Sequence, residues 1–211
     1  MKDYSVYLFD MDGTLVDTEP LKAKALSKTC GIFGNKVNPD IYKVVMGESW
    51  SNVSSYFFKT AQIEPNVDEF NAKFRKIYQE LLRNQLSLNS NAKELLVRLR
   101  ELGKKVGLVS SAFKWMVNQV LTQVKLVDFF DVLITQEDVI EHKPNPEAYL
   151  LALKRLSVCS SEVLIFEDSN AGLTAANKAN CDAVAFKHEF NTNNDLSLAI
   201  KVISDFNEIR V

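Results

Sequence analysis

Five short apolar runs, 6–9, 106–109, 132–134, 163–166 and 183–186, constrain this chain more than any other feature of its sequence. Rich in branched and aromatic residues and almost free of polar ones, they read as strands buried on both faces. Such strands belong in a parallel sheet, where neighbours are joined by long crossovers. The last three gaps between runs carry helical patterns of ordinary crossover length. The expected architecture is therefore α/β: a Rossmann-like parallel sheet core with helices on both faces.

The first gap does not fit that scheme. More than ninety residues separate Asp10 from Val106, although the sheet needs one crossover helix there. Residues 92–102 supply it: Asn91 followed by Glu94 resembles a capping box, and Gly103 stands where a left-handed C-cap would fall. The surplus, residues 17–88, reads as an insertion. Within it, 20–29 opens on Pro20 and ends at Gly31, Phe70, Phe74, Ile77 and Leu81 recur at helical spacing, and 40–45 and 51–60 are shorter helical patterns. No strand signal interrupts them. The division expected is an α/β core of 1–16 plus 89–211 and an inserted α-helical bundle cap of 17–88. Two short passages, near Asp17 and at 84–89, would tether the cap, an arrangement suited to a lid that opens and closes.

Ligands of open parallel sheets bind beyond the carboxyl ends of the strands. The residues there form a consistent set: Asp10 and Asp12 after the first run, Ser110 and Ser111 after the second, Lys143 in the loop after the third, Glu167 and Asp168 after the fourth. Clustered carboxylates repel one another and call for a hard, oxygen-seeking cation, for which Mg²⁺ with a substrate phosphate is apt. With Asp10 as nucleophile, Asp12 protonated, Glu167 and Asp168 ionised and a phosphate dianion bound, Mg²⁺ and Lys143 leave a negative excess. Backbone N–H groups of the DMDGT turn and the Ser110 hydroxyl would meet it. A calcium-binding loop at Asp10 and Asp12 is excluded, because the positions needing Gly and Glu hold Leu15 and Leu21.

The balance of 25 Lys and Arg against 27 Asp and Glu, a net charge of −2, lacks the basic footprint of a nucleic-acid binder. The N-terminal apolar run is too short for a membrane span or a secretory signal, so a cytoplasmic protein with no membrane partner is expected. Cys30, Cys159 and Cys181 are widely spaced and odd in number, which suits reduced thiols rather than disulfides or zinc. Asp17 reads as the cap of the first lid helix, while His142 and His188 read as loop residues outside the site.

Four motifs, DMDGT at 10–14, LVSS at 108–111, HKPNP at 142–146 and FEDSNAG at 166–172, resemble in order those of the haloacid-dehalogenase-like phosphotransferases. The insertion matches that family's small helical cap, and the likeness is nearest to its β-phosphoglucomutase-like branch. The resemblance implies that Asp10 becomes an aspartyl-phosphate and that Asp12 is the general acid and base. By the same resemblance Ser110 and Lys143 bind the phosphoryl group, with Ser111 beside them. The metal set it implies is Asp10, the backbone carbonyl of Asp12, Glu167 and Asp168, around Mg²⁺. Two cap positions depart from the branch. Lys22 stands where it has a histidine, and Trp50 where it has a phosphate-binding arginine; a lost arginine fork weakens the mutase reading. The carboxylate at Asp12 points to phosphate esters. The expected function is Mg²⁺-dependent hydrolysis of a small phosphorylated metabolite such as a sugar phosphate. A hexose-phosphate mutase is the alternative, and a non-catalytic metabolite-binding or regulatory protein a third reading.

Overall fold

The computed structural model describes residues 2–211. The apolar runs become β1 (Val6–Phe9), β2 (Lys105–Val109), β3 (Val132–Ile134), β4 (Val163–Glu167) and β5 (Asp182–Phe186). A sixth strand, β6 (Lys201–Ile203), was not expected: three residues beginning with lysine carry too little apolar signal. The six pair in parallel, in the order β3-β2-β1-β4-β5-β6. Reversal of strand order at β1 opens a crevice between β1, β2 and β4, where ligands of such sheets are held.

Alternate side chains of each strand point to opposite faces. From β1, Val6 and Leu8 enter a core with α6 (Glu147–Leu156) and α7 (Asn170–Lys178). Tyr7 and Phe9 enter the other, with α4 (Ala92–Glu101) and α5 (Lys114–Gln123). On that second face Phe9 stacks on Phe166 and Phe186 on Phe206, with ring centres 4.7 and 4.9 Å apart, and Phe206 meets Phe166 edge-on. Aromatic contact and full burial fix the strand ends from below.

Between β1 and α4 the chain is helical: α1 (Glu19–Ile32), a 3-10 segment (Pro39–Val44), α2 (Trp50–Ala61) and α3 (Val67–Gln85). The Phe70, Phe74, Leu81 stripe is buried on α3 as its spacing requires, and Ile77 is half-buried. The two connecting passages pair with each other. Asp17 donates its N–H to the Ser87 carbonyl and Asn89 its N–H to the Leu15 carbonyl, both at 3.0 Å, while the Asn89 amide holds the Gly13 and Thr14 carbonyls.

Two local expectations fail. Asn91 adopts φ 59°, outside the extended conformation a capping residue takes, and its side chain makes no cap; its amide N–H groups donate instead to both oxygens of Asp205, 2.8 and 2.9 Å away. Asp17 does not cap α1 either, since Thr18 precedes the helix. Pro146 immediately precedes α6, and the Asn145 side chain accepts the Glu147 N–H at 3.0 Å. Gly103 takes the left-handed conformation expected of it, at φ 69°. Cys30 and Cys181 are buried, Cys159 exposed, all three free. Among the described residues no helix is long and apolar enough to cross a membrane.

Candidate active site

Of the residues expected at the sheet edge, Asp10, Lys143, Glu167 and Asp168 come together. Lys143, at the N-terminal side of α6, reaches over the edge. Its Nζ donates to Asp10 Oδ1 at 2.7 Å, to Glu167 Oε1 at 2.6 Å and to the Val109 carbonyl at 3.1 Å. It lies 5.1 Å from the centre of the Tyr149 ring, whose hydroxyl also donates to Glu167 Oε1. Asp10, Glu167 and Asp168 are all buried and can each offer an oxygen within 4.8 Å of the others.

Those charges set the local protonation. Burial raises Asp10 well above the ordinary carboxylate range, repulsion from Glu167 and Asp168 adds to it, and Lys143 only partly offsets them. Asp168 is raised in the same way, by burial first and by Glu167 and Glu19 next. For Lys143 burial acts downward, but Asp10 and Glu167 outweigh it and hold the ammonium well above its usual value. Three buried carboxylates sharing one ammonium fit a divalent cation, whose charge matches the two they leave uncompensated if all are ionised.

Glu167 is held in place by the two residues that lead into α7. Its Oε2 accepts the Asp168 N–H at 3.2 Å and the Ser169 hydroxyl at 3.3 Å. Gly172 faces it: a Cβ there would lie 2.0 Å from the Glu167 carboxyl group, so glycine is required for the close approach.

Asp12 points the other way, toward the helices. Thr18 donates to Asp12 Oδ1 at 2.6 Å, and Lys22 Nζ stands 3.8 Å from that same oxygen. Lys22 in turn pairs with buried Glu19 at 2.8 Å. Burial pushes Lys22 down, but Asp12 and Glu19 outweigh it and leave it raised; burial pushes Glu19 up, and Lys22 more than reverses this.

A cavity of about 630 Å³ separates this edge from the helices and is lined by Asp10, Asp12, Lys143, Asp168 and Ser111 below and by Lys22, Trp50 and Arg75 above. Ser110 is buried, its Oγ accepting the Ala112 N–H at 3.0 Å, while Ser111 is exposed. Trp50 stands at the rim, 38 % exposed, its indole N–H donating to Asn71 and its ring 4.6 Å from that of Phe74. Arg75 of α3 lies over Trp115 of α5, its guanidinium carbon 4.9 Å from the ring centre, so the upper and lower walls touch.

His188, read from the sequence as a loop residue outside the site, lies beside it. Its Nε2 is 2.9 Å from Asp168 Oδ2. Burial lowers the imidazole below its ordinary value, with Glu19 and Asp17 opposing. The Phe190 N–H donates to His188 Nδ1 at 3.2 Å, so Nε2 carries the ring proton that faces Asp168. A signal for it existed: His188 follows the fifth apolar run, whose carboxyl end belongs to the same sheet edge as the other four.

Comparison with known proteins places these features. A family model described as haloacid dehalogenase-like hydrolase matches residues 7–186. The phosphorylated carbohydrates phosphatase of Thermotoga maritima is 29 % identical over 177 residues, covering 84 % of this chain and 82 % of its own. The validoxylamine A 7'-phosphate phosphatase of Streptomyces hygroscopicus subsp. limoneus is 29 % identical over 210 residues, covering 98 % and 96 %. Among solved structures, the β-phosphoglucomutase of Clostridium difficile shares the fold with a TM-score of 0.79, at 23 % identity over 98 % of this chain and 93 % of its own.

Proposed function

The chain belongs to the haloacid dehalogenase-like hydrolase family, and from that premise we propose that it is a Mg²⁺-dependent phosphatase of a small phosphorylated metabolite, a sugar phosphate foremost. The observation that carries the reading is the pairing of Asp10 and Asp12 in one cavity with different partners: Asp10 against Lys143 at 2.7 Å, Asp12 against the Thr18 hydroxyl at 2.6 Å. Two carboxylates in unlike surroundings suit two unlike tasks.

In the proposed sequence an Asp10 oxygen attacks phosphorus and the P–O bond to the leaving alcohol breaks. Asp12 gives its proton to the departing oxygen. Water then attacks the aspartyl-phosphate, losing its proton to Asp12, and inorganic phosphate leaves with Asp10 restored. Lys143 and the backbone N–H groups of the 10–14 turn hold the transferring oxygens. Asp10, Glu167 and Asp168, with the Asp12 carbonyl, are the residues that would hold Mg²⁺, which when bound supplies positive charge against the phosphate. The helices of 17–88 act as the lid, and Ser111, Lys22 and Trp50 face the substrate from its two sides.

The phosphatase names of the relatives support hydrolysis, and the carbohydrate phosphatase supports sugar phosphates. The absence of an arginine at Trp50 weighs against a mutase, which must grip a second phosphate. The test is phosphate release from a panel of sugar and nucleotide monophosphates. Release should be lost on adding EDTA and should fall at least about 10⁴-fold in Asp10→Asn. Persistence of release in that variant would overturn the assignment of the nucleophile. Isomerisation of a hexose 1-phosphate that depends on an added bisphosphate would replace the phosphatase by a mutase.

A further inference from the structure

The turn after β5 grips Asp168 at two points. The Phe190 N–H donates to His188 Nδ1 at 3.2 Å, which makes Nδ1 the unprotonated nitrogen and places the ring proton on Nε2. That Nε2, 2.9 Å from Asp168 Oδ2, therefore donates to the carboxylate. Meanwhile the His188 backbone N–H donates to Asn191 Oδ1 at 2.9 Å, and the Asn191 amide returns to the carbonyls of Asp168 at 2.9 Å and Phe186 at 2.8 Å. His188 is mostly buried and Asn191 fully so. Opposite them sits Gly13 at φ 77°, where a Cβ would fall 2.9 Å from His188 Nε2 and 2.2 Å from Asp168 Oδ2. The turn carrying Asp12 thus closes directly onto the histidine–carboxylate pair.

We propose that His188 is a positioning residue for Asp168, holding its carboxylate in the one orientation that serves the cation site. Asp168 needs such a support more than its neighbours do. Asp10 and Glu167 are both anchored by Lys143, and Glu167 also by Tyr149 and Ser169, whereas the side-chain hydrogen bond of Asp168 comes from His188. An uncharged donor steadies the ligand without cancelling the charge that a cation seeks, as outer partners of metal ligands generally do. The proposal rests on the Mg²⁺ reading of the site given above.

Two variants separate the hydrogen bond from the turn. His188→Gln places an amide nitrogen where Nε2 stands and keeps the donor to Asp168. His188→Asn places an oxygen where Nδ1 stands, keeps the acceptor for the Phe190 N–H and leaves Asp168 unsupported. Mg²⁺ binding is titrated calorimetrically on the full chain without any phosphate ester, so the outcome does not depend on whether the chain hydrolyses one. Affinity should fall about tenfold to hundredfold in His188→Asn and stay within about threefold of the unaltered protein in His188→Gln. Equal affinity in His188→Asn and the unaltered protein would overturn the proposal, as would an equal loss in both variants. An unaltered chain that takes up no Mg²⁺ would overturn it together with the metal reading.

Discussion

The sheet edge and the helical wall face each other across one cavity and are built on opposite terms. Below, Asp10, Glu167 and Asp168 are at most 7 % exposed and are locked to Lys143 and His188 by contacts of 2.6 to 2.9 Å. Above, Trp50 is 38 % exposed and held by one hydrogen bond and one ring contact. Strand ends fixed by a packed aromatic core hold a constellation rigidly, which suits chemistry common to every substrate. Side chains on the faces of tethered helices are easier to exchange, which suits choosing the substrate. Lys22 stands between the two regimes, reaching from α1 to within 3.8 Å of Asp12.

If that division holds, damage to Asp12 should be large and indifferent to the sugar. Asp12→Asn should lower kcat by about 10²- to 10⁴-fold on alkyl phosphates, the usual worth of a general acid and base. On a nitrophenyl phosphate, whose leaving oxygen needs no proton, the first step should be much less affected. Steady-state and burst kinetics on the two classes of ester measure this. An equal loss on both in the step that expels the alcohol would break the assignment of Asp12 as acid.

The same contrast explains what could be read from the sequence. Strand residues announce themselves because a strand buried on both faces must be apolar throughout, so Asp10, Ser110, Glu167 and Asp168 stood out as the first polar residues after each run. Lys143 was accessible through its place in the loop after the third run. What escaped depends on partners distant in sequence. His188 acquires its role from Asp168, twenty residues earlier, and from a tautomer set by the Phe190 N–H. Asn91 looked like a helix cap, but its backbone is left-handed and its amide donates to Asp205, 114 residues later. Periodicity made the helical wall legible only as helices, since it says which face is apolar and nothing of which residue meets a ligand; Lys22 and Trp50, both of which line the cavity, were singled out by the family resemblance alone. That Glu19 would hold Lys22 at 2.8 Å had no sequence signal beyond their spacing.

On the helical side the expected effect is smaller and selective. Trp50→Ala should raise KM about tenfold, roughly 1.4 kcal/mol of binding, for some members of a sugar phosphate panel and little for others, with kcat nearly unchanged. The indole sits at the cavity rim and its removal exposes Phe74 without touching Asp10 or Asp12. Were kcat to fall equally for every substrate, the helices would be part of the chemical machinery and the contrast would fail.

The smallest effect belongs to the frame of the sheet, far from the cavity, and it has the opposite pH sign to the catalytic edge. Asp131 accepts from Arg100 Nη1 at 2.7 and 2.8 Å and from the Val106 N–H at 2.8 Å. Burial alone would raise its carboxyl, but the Arg100 and Val106 hydrogen bonds outweigh burial and hold it below the ordinary 3.8. A carboxylate depressed in the folded state binds protons less readily there than in the unfolded chain. Its contribution is therefore complete above the unfolded value and is lost as pH falls through the folded one. Both partners are about a third exposed, so solvent screening limits the pair to about 0.5 kcal/mol. Urea unfolding of Arg100→Gln should show that deficit at pH 7 and a shrinking one below pH 4, and added salt should reduce it. A deficit independent of pH would mean that Arg100 stabilises the sheet by packing its stem and not by charge. At the catalytic edge burial and mutual repulsion raise Asp10 and Asp168 instead. The same residue type is thus stabilised as an anion where it braces the sheet and destabilised as one in the acidic cluster proposed to hold a cation.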